Sequence, residues 1–251
     1  MASLNDLHIS EAAEQTPGHP HPGGSTLTPT NATYRLGKIE RLGLLNGRWL
    51  DYGCADGGYS RALAEFVDSV TGVDPESDRI AVANANRLNN TEFYCTGDRL
   101  PFADATFDRC LLNEVLEHVD SEAGSLSEIR RVLKPGGYLV CISPNRWFPF
   151  EGHGAQIGNW SIAFPVPLLP WVPQSISMKW MAARNYWPYQ LRDTIARAGF
   201  TVEKVDFVLP ILDVYRWLPA PAIRLYQKSI PWLDRSPLRR FGVSTMVVAR
   251  A

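Results

Sequence analysis

Leu50-Asp51-Tyr52-Gly53-Cys54-Ala55-Asp56-Gly57-Gly58-Tyr59-Ser60 is the stretch on which the reading of this chain turns. The run Arg48-Trp49-Leu50 ahead of it reads as a short buried strand, and Tyr59 to Val67 behind it carries apolar residues at helical spacing. Between them, glycines permit positive φ and let a ligand come close to the backbone, while the first N–H groups of a helix lack intrahelical partners. Strand, glycine turn and helix in that order mark a nucleotide-type ligand.

Outward from the turn, the pattern repeats. Ser69 to Asp74 predicts a second strand and Pro75 to Leu88 a helix with proline at an early position. Phe93 to Thr96 predicts a third strand and Phe107 to Leu112 a fourth. A helix from Glu122 to Leu133 is expected to break at Lys134-Pro135-Gly136-Gly137 before a fifth strand, Tyr138 to Ser143. Pro188 to Ala198 returns to helix, and Thr201 to Val208 and Val243 to Ala249 supply two further strands. Strands alternating with helices predict an α/β, doubly wound sheet with helices on both faces.

Ahead of the first strand, Leu36, Ile39 and Leu42 predict a helix from Tyr34 that stops near Asn46-Gly47. Residues 1–32, rich in Pro, Gly, Thr and His, are expected to form a disordered tail, with His19 and His21 solvated. Residues 33–251 are then one domain, interrupted by aromatic and proline-rich insertions at about 144–187 and 209–241.

Composition narrows the possibilities. With 251 residues and 45% hydrophobic content, the chain can bury a full core. A formal charge of -1, from 25 basic and 26 acidic residues, gives no global field for nucleic acid. Cys54, Cys95, Cys110 and Cys141 lack zinc-type spacing and read as small buried hydrophobes in a reducing compartment. The beginning of the sequence lacks a basic segment followed by an apolar run, so a cytoplasmic protein is expected.

Ligands of an open parallel sheet bind outside the carboxyl ends of its strands. Asp51, Asp74, Asp98 and Asn113 fall there. Asp74 lies 21 residues after Gly53, the spacing at which an acid accepts hydrogen bonds from ribose hydroxyls. Asp98 is placed for an adenine edge. Each acid has an alternative duty, capping the helix that follows. Gly53, Ala55 and Gly58 also fit a GxAxxG dinucleotide fingerprint, which keeps an NAD(P)-dependent oxidoreductase in view. A module that binds a cofactor without turnover is the third reading.

Five motifs together carry a resemblance: Leu50 to Gly57, Gly72-Val73-Asp74, Gly97 to Phe102 with Phe107-Asp108, Leu116-Glu117-His118-Val119, and Leu133 to Leu139. Over roughly residues 34–143 the chain resembles the class I S-adenosylmethionine-dependent methyltransferases, particularly the small-molecule group that includes the quinone methyltransferases. The resemblance implies a Rossmann-like, seven-stranded, mostly parallel sheet with an antiparallel last strand. It implies S-adenosyl-L-methionine as cofactor and methylation, with oxygen favoured, of a small-molecule or lipid-like acceptor. Asp51, Gly53 and Gly57 would flank the methionine part, Asp74 the ribose, Asp98 with Arg99 or Leu100 the adenine, and Asn113 the methionine side. Ala55 stands where the family usually has a second glycine, which implies a slightly altered turn.

Transfer to a hydroxyl calls for a proton acceptor. His153, just past the fifth strand, is the first candidate and His118 the second. Glu114, Glu117 and Asp120 resemble the acidic cluster with which some quinone O-methyltransferases hold a divalent cation, but an acid patch at a helix N-terminus explains them equally, and no metal is expected. Both insertions should start at the ligand edge and meet over the transferred methyl, as a water-excluding pocket, a private lid core, or both. The aromatic and basic residues of the second also suit peripheral contact with an anionic membrane.

Overall fold

The computed structural model describes residues 29–97, 99–151, 155–157, 160–162, 166–181, 183–212 and 218–251. Helix α1 (Pro29–Glu40) leads into β1 (Arg48–Tyr52), α2 (Gly58–Ala64), β2 (Ser69–Asp74), α3 (Ser77–Ala85), β3 (Thr91–Cys95), β4 (Phe107–Asn113), α4 (Glu122–Val132) and β5 (Leu133–Pro144). The first insertion contributes β6 (Phe150–Glu151), β7 (Ala155–Ile157), β8 (Trp160–Ile162), β9 (Val166–Pro167) and α5 (Gln174–Ser177). Then follow α6 (Pro188–Arg197), β10 (Thr201–Val208), α7 (Ala220–Leu233) and β11 (Ser244–Arg250).

Seven strands form one sheet in the order β10-β11-β5-β4-β1-β2-β3. Pairings from β3 through β5 are parallel, whereas β11 runs antiparallel to both β5 and β10. The Rossmann-like α/β sheet expected above is the fold. Strand order reverses between β1 and β4, so the crevice of the switch point opens beyond Tyr52 and Asn113, at the glycine turn.

Alternation along β5 shows why the sheet is covered on both sides. Leu139 and Cys141 face a core built with Leu126 and Ile129 of α4 and Leu191 and Ile195 of α6. Val140 and Ile142 face the other, with Leu36 and Ile39 of α1 and Ala62 and Leu63 of α2.

Several boundaries differ from expectation. Helix α1 starts at Pro29, inside the segment expected as tail, and ends at Glu40 rather than near Asn46. Strand β1 runs on through Asp51 and Tyr52, held by Asp51↔Gly72 and Tyr52↔Val73. Pro75 precedes the N-cap Glu76 instead of opening α3. Lys134-Pro135-Gly136-Gly137 is part of β5, which starts where α4 ends; the Gly136 N–H is satisfied by the Ala251 carbonyl at 3.1 Å. Of the cysteines, Cys95 is exposed and the other three are buried.

Each insertion has a core of its own. Ala155, Leu169 and Met181 pack with Val166, Val172 and Trp180 in the first; Leu209, Ile211 and Ile230 pack with Tyr34, Tyr226 and Leu233 under α7. The two insertions touch. Asn145 Nδ2 donates to the carbonyls of Arg240 (2.8 Å) and Gly242 (2.7 Å), and the Trp147 and Phe241 rings meet edge to face at 5.9 Å.

Candidate cofactor and acceptor site

At the end of β1, Asp51 is buried and accepts a 2.6 Å hydrogen bond from Ser60 Oγ on α2. Burial pushes its carboxyl up to about 6; the Ser60 hydroxyl works against that shift and the nearby charge of Asp74 adds to it. The turn that follows holds three residues at positive φ, Gly53 (80°), Ala55 (50°) and Gly57 (77°). A Cβ on Gly53 would lie 2.4 Å from a Val115 methyl, so the turn sits directly against the segment that leaves β4. Ala55 keeps the left-handed conformation despite its methyl, with its N–H fixed by Asp74 Oδ2 at 3.0 Å.

Asp74 has two partners. Its Oδ2 holds the glycine turn and its Oδ1 accepts from the Glu76 N–H (2.9 Å) at the start of α3. Asp74 does not cap α3, whose N-cap is Glu76 without a side-chain cap bond, and each of its carboxylate oxygens retains a further acceptor site. Asn113, the last residue of β4, turns its Oδ1 to Arg35 Nη1 at 2.5 Å. Glu114, at φ 56°, accepts from the same Nη1 at 3.0 Å and from Ser244 Oγ at 2.5 Å.

Arg35 is the residue that sequence reasoning missed. It flanks the apolar stripe Ala32-Leu36-Ile39 of α1, where a cation is ordinarily solvated, but it is buried and reaches Asn113 at the end of β4 and Glu114 just beyond it. Lys38, one turn on, is buried too and pairs with Asp234 (2.7 Å) and Asp206 (3.3 Å). Spacing along α1 carries no signal of partners so far away in the chain.

Glu117, read above as part of an acidic cluster, is a further buried charged group. Its Oε2 accepts from Ser143 Oγ at 3.1 Å, whereas its buried Oε1 has no hydrogen-bond partner. Burial, with Glu114 beside it, drives the carboxyl well above the usual carboxylate range. Glu117 and Glu114 lie in a bend and turn after β4, ahead of α4, whose cap is Ser121 Oγ accepting from Gly124 N–H (3.1 Å). For Glu114 and Glu117 the reading as a helix N-terminal acid patch is thus corrected, while Asp120 directly precedes the cap. Among the described residues, no group of three or more His, Cys, Asp and Glu side chains is arranged to hold a metal ion.

The structure brings Asp51, Gly53, Ala55, Gly57, Asp74 and Asn113 to one edge of the sheet. Leu100 is placed differently, buried in the core with its N–H donated to Glu128 Oε2 (3.1 Å). Arg99 is exposed and its carbonyl accepts from Thr96 Oγ1 (2.9 Å). His118 is exposed. Asp98 and His153 lie outside the described residues.

Carboxylates beside a glycine turn, with a buried guanidinium facing Asn113, suit a ligand that carries an ammonium, a carboxylate and ribose hydroxyls. Residues 50–141 match the methyltransferase domain family. A demethylmenaquinone methyltransferase of Beutenbergia cavernae is 34% identical over 166 residues, which cover 63% of this chain and 67% of that protein. This chain belongs to the S-adenosylmethionine-dependent methyltransferases. Its cofactor is S-adenosyl-L-methionine. The methyltransferase is also 33% identical over 175 residues to a ubiquinone biosynthesis O-methyltransferase of Cereibacter sphaeroides, covering 68% of this chain and 66% of the relative. Its fold is shared with an S-adenosylmethionine-dependent methyltransferase of Mesorhizobium loti, at a TM-score of 0.55 and 18% identity, over 99% of this chain and 100% of the other. The chain spans about half the length of several other curated relatives it matches.

Proposed function

We propose that this methyltransferase methylates an oxygen of a quinone-like or other lipid-like small molecule. The observation that carries the reading is the joint placement of Asp51, Asp74 and Asn113 at the ends of β1, β2 and β4, at the sheet edge from which two insertions rich in aromatic residues depart. The names of the relatives, a demethylmenaquinone methyltransferase and a ubiquinone biosynthesis O-methyltransferase, support the acceptor class.

When bound, the cofactor supplies both the electrophilic methyl group and its own leaving group. The chain's part is to hold and align. Asp74 accepts from the ribose hydroxyls while its other lone pairs keep the turn in place. Asp51, Gly53, Ala55 and Gly57 form the methionine side together with Asn113, and Arg35 supplies the positive charge that a carboxylate requires. Asp98 and Arg99 are assigned to the adenine. The insertions exclude water and orient the acceptor. His153 is the group assigned to take the acceptor's proton; the exposure of His118 argues for the first of the two histidines.

Calorimetry with S-adenosylhomocysteine and NADH, followed by mass spectrometry of a panel of hydroquinones, catechols and phenols incubated with S-adenosylmethionine, tests this. Binding of the adenosyl ligand and gain of one methyl on an oxygen are expected. Binding of NADH alone would replace the reading with an oxidoreductase. Adenosyl binding with no product across the panel would leave a cofactor-binding module.

A further inference from the structure

Helix α7 presents two different apolar faces. Ile223, Tyr226, Ile230 and Leu233 turn inward, and Tyr226, Ile230 and Leu233 pack on Leu209, Ile211 and Tyr34. The opposite face carries Pro221, Leu225, Lys228 and Trp232 at the 4-3-4 spacing of one helical stripe, all exposed, Leu225 at 72% and Trp232 at 66%. Arg224 and Arg235 flank that stripe. The 3-10 turn that follows, Pro237–Phe241, continues it with exposed Leu238, Arg239, Arg240 and Phe241. Phe241 in turn touches Trp147, which is itself exposed, so the surface extends onto the first insertion.

Charge separates this surface from the rest of the molecule. Between residues 220 and 241, Arg224, Lys228, Arg235, Arg239 and Arg240 face a single acid, Asp234, in a chain whose net charge is -1. Asp234 is taken up by Lys38 at 2.7 Å, Tyr34 OH at 3.1 Å and Arg41 at 3.5 Å, and Arg239 lies 3.6 Å from Asp206 Oδ1, which leaves Arg224, Lys228, Arg235 and Arg240 on the outside. What remains outside is a stripe of large apolar side chains bordered by cations. Such a stripe gains by entering the boundary between headgroups and acyl chains, while the cations meet negative headgroups. Against a second copy of itself the same surface would set like charges opposite one another.

We propose that the outer face of α7 and the turn Pro237–Phe241 dock this protein on a bilayer containing anionic phospholipid, with Leu225, Trp232 and Leu238 entering the interface and Arg224, Lys228, Arg235 and Arg240 holding the headgroups. No helix among the described residues is long and apolar enough to cross a membrane, so the contact is peripheral in kind. The surface stands on its own residues; only the idea that an acceptor dissolved in the bilayer reaches the insertions from this side rests on the reaction proposed above.

The test uses the full chain and vesicles of phosphatidylcholine, alone or mixed equally with phosphatidylglycerol, in a flotation assay without substrate or cofactor. Flotation with the mixed vesicles, weak flotation with the neutral ones, and loss of binding as salt is raised are expected. Leu225→Glu with Trp232→Glu should weaken partitioning by on the order of tenfold or more, because two buried apolar side chains and the charge balance are lost together. Circular dichroism and S-adenosylhomocysteine binding of the double variant should remain unchanged, since both residues point away from the core. A protein that stays in the soluble fraction with mixed vesicles, or a double variant that floats as well as the wild type, overturns the proposal. So does sedimentation showing a dimer that the double variant dissolves, which would make this face a protein interface. Neither result depends on whether methyl transfer occurs.

Discussion

Arg35 Nη1 lies 3.0 Å from Glu114 Oε1 and 2.5 Å from Asn113 Oδ1, which ties the helix before the sheet to the end of its central strand β4. The pair is buried on both sides, so neither charge is screened by water. Removing the cation strands a carboxylate.

Arg35→Met is expected to cost about 3–5 kcal/mol of stability, because Glu114 is left uncompensated. Adding Glu114→Gln should return most of that loss. Affinity for S-adenosylhomocysteine should stay depressed in the double variant if Arg35 serves the ligand carboxylate, and should recover if its part is structural alone. Urea titration and calorimetry on the single and double variants separate the two effects.

Asp51 sets a dependence on pH. Its folded-state pKa is raised from 3.8 to about 6, so the folded protein holds a proton that the unfolded chain has released. Stability of the ligand-free protein should therefore fall as pH rises from about 4 to about 6 and level off above. Asp51→Asn should flatten that slope. If ionised Asp51 meets the ligand's ammonium, affinity for S-adenosylhomocysteine should rise over the same interval in the wild type and not in the variant, as measured by calorimetry across pH.

Glu117 carries the same sign. Its raised pKa means that stability drains away as pH climbs above the ordinary glutamate value. Glu117→Gln keeps an acceptor for Ser143 Oγ and removes the ionisation. We expect the variant to be more stable than the wild type at neutral to alkaline pH, with the difference shrinking in acid. Thermal melts of both proteins between acid and alkaline buffers would show parallel curves if Glu117 were not perturbed.

Gly53 and Gly136 both hold positive φ, 80° and 78°, but differ in their surroundings. A methyl on Gly53 meets Val115 at 2.4 Å, and one on Gly136 meets nothing within 4 Å. Gly136→Ala should cost only the backbone strain, about 1 kcal/mol. Gly53→Ala should cost roughly 1–3 kcal/mol more through overpacking and should weaken cofactor binding, because the turn must shift off Val115. Equal losses of stability in chemical denaturation would refute the distinction.

How much of this was legible in the chain follows from the range of the interactions. Strands β2 and β10 coincide with the stretches predicted for them, β10 from its alternation, which reports the side of a sheet that each residue faces. The glycine turn and Asp74 were legible for a similar reason, being constrained by neighbours near in sequence. Lys134-Pro135-Gly136-Gly137 ends the helix as its proline and glycines signal, but the same residues open β5 five positions earlier than expected, because the backbone of Gly136 is claimed by Ala251 at the far end of the chain. Leu100 likewise sits in a motif, yet Glu128 on α4 decides where its N–H goes.

Sequence alone determined the sheet, the turn and the family to which the turn belongs, because these depend on periodicity and on residues a few positions apart. Tertiary structure decided the rest. Only packing of α1 across the sheet buries Arg35 against Glu114 and Lys38 against Asp234, and only the folded chain brings Asn145 to Arg240 and Gly242, and Trp147 to Phe241, where the two insertions meet. Such pairs draw their energy from desolvation and from partners that the chain brings together late, so no local pattern announces them.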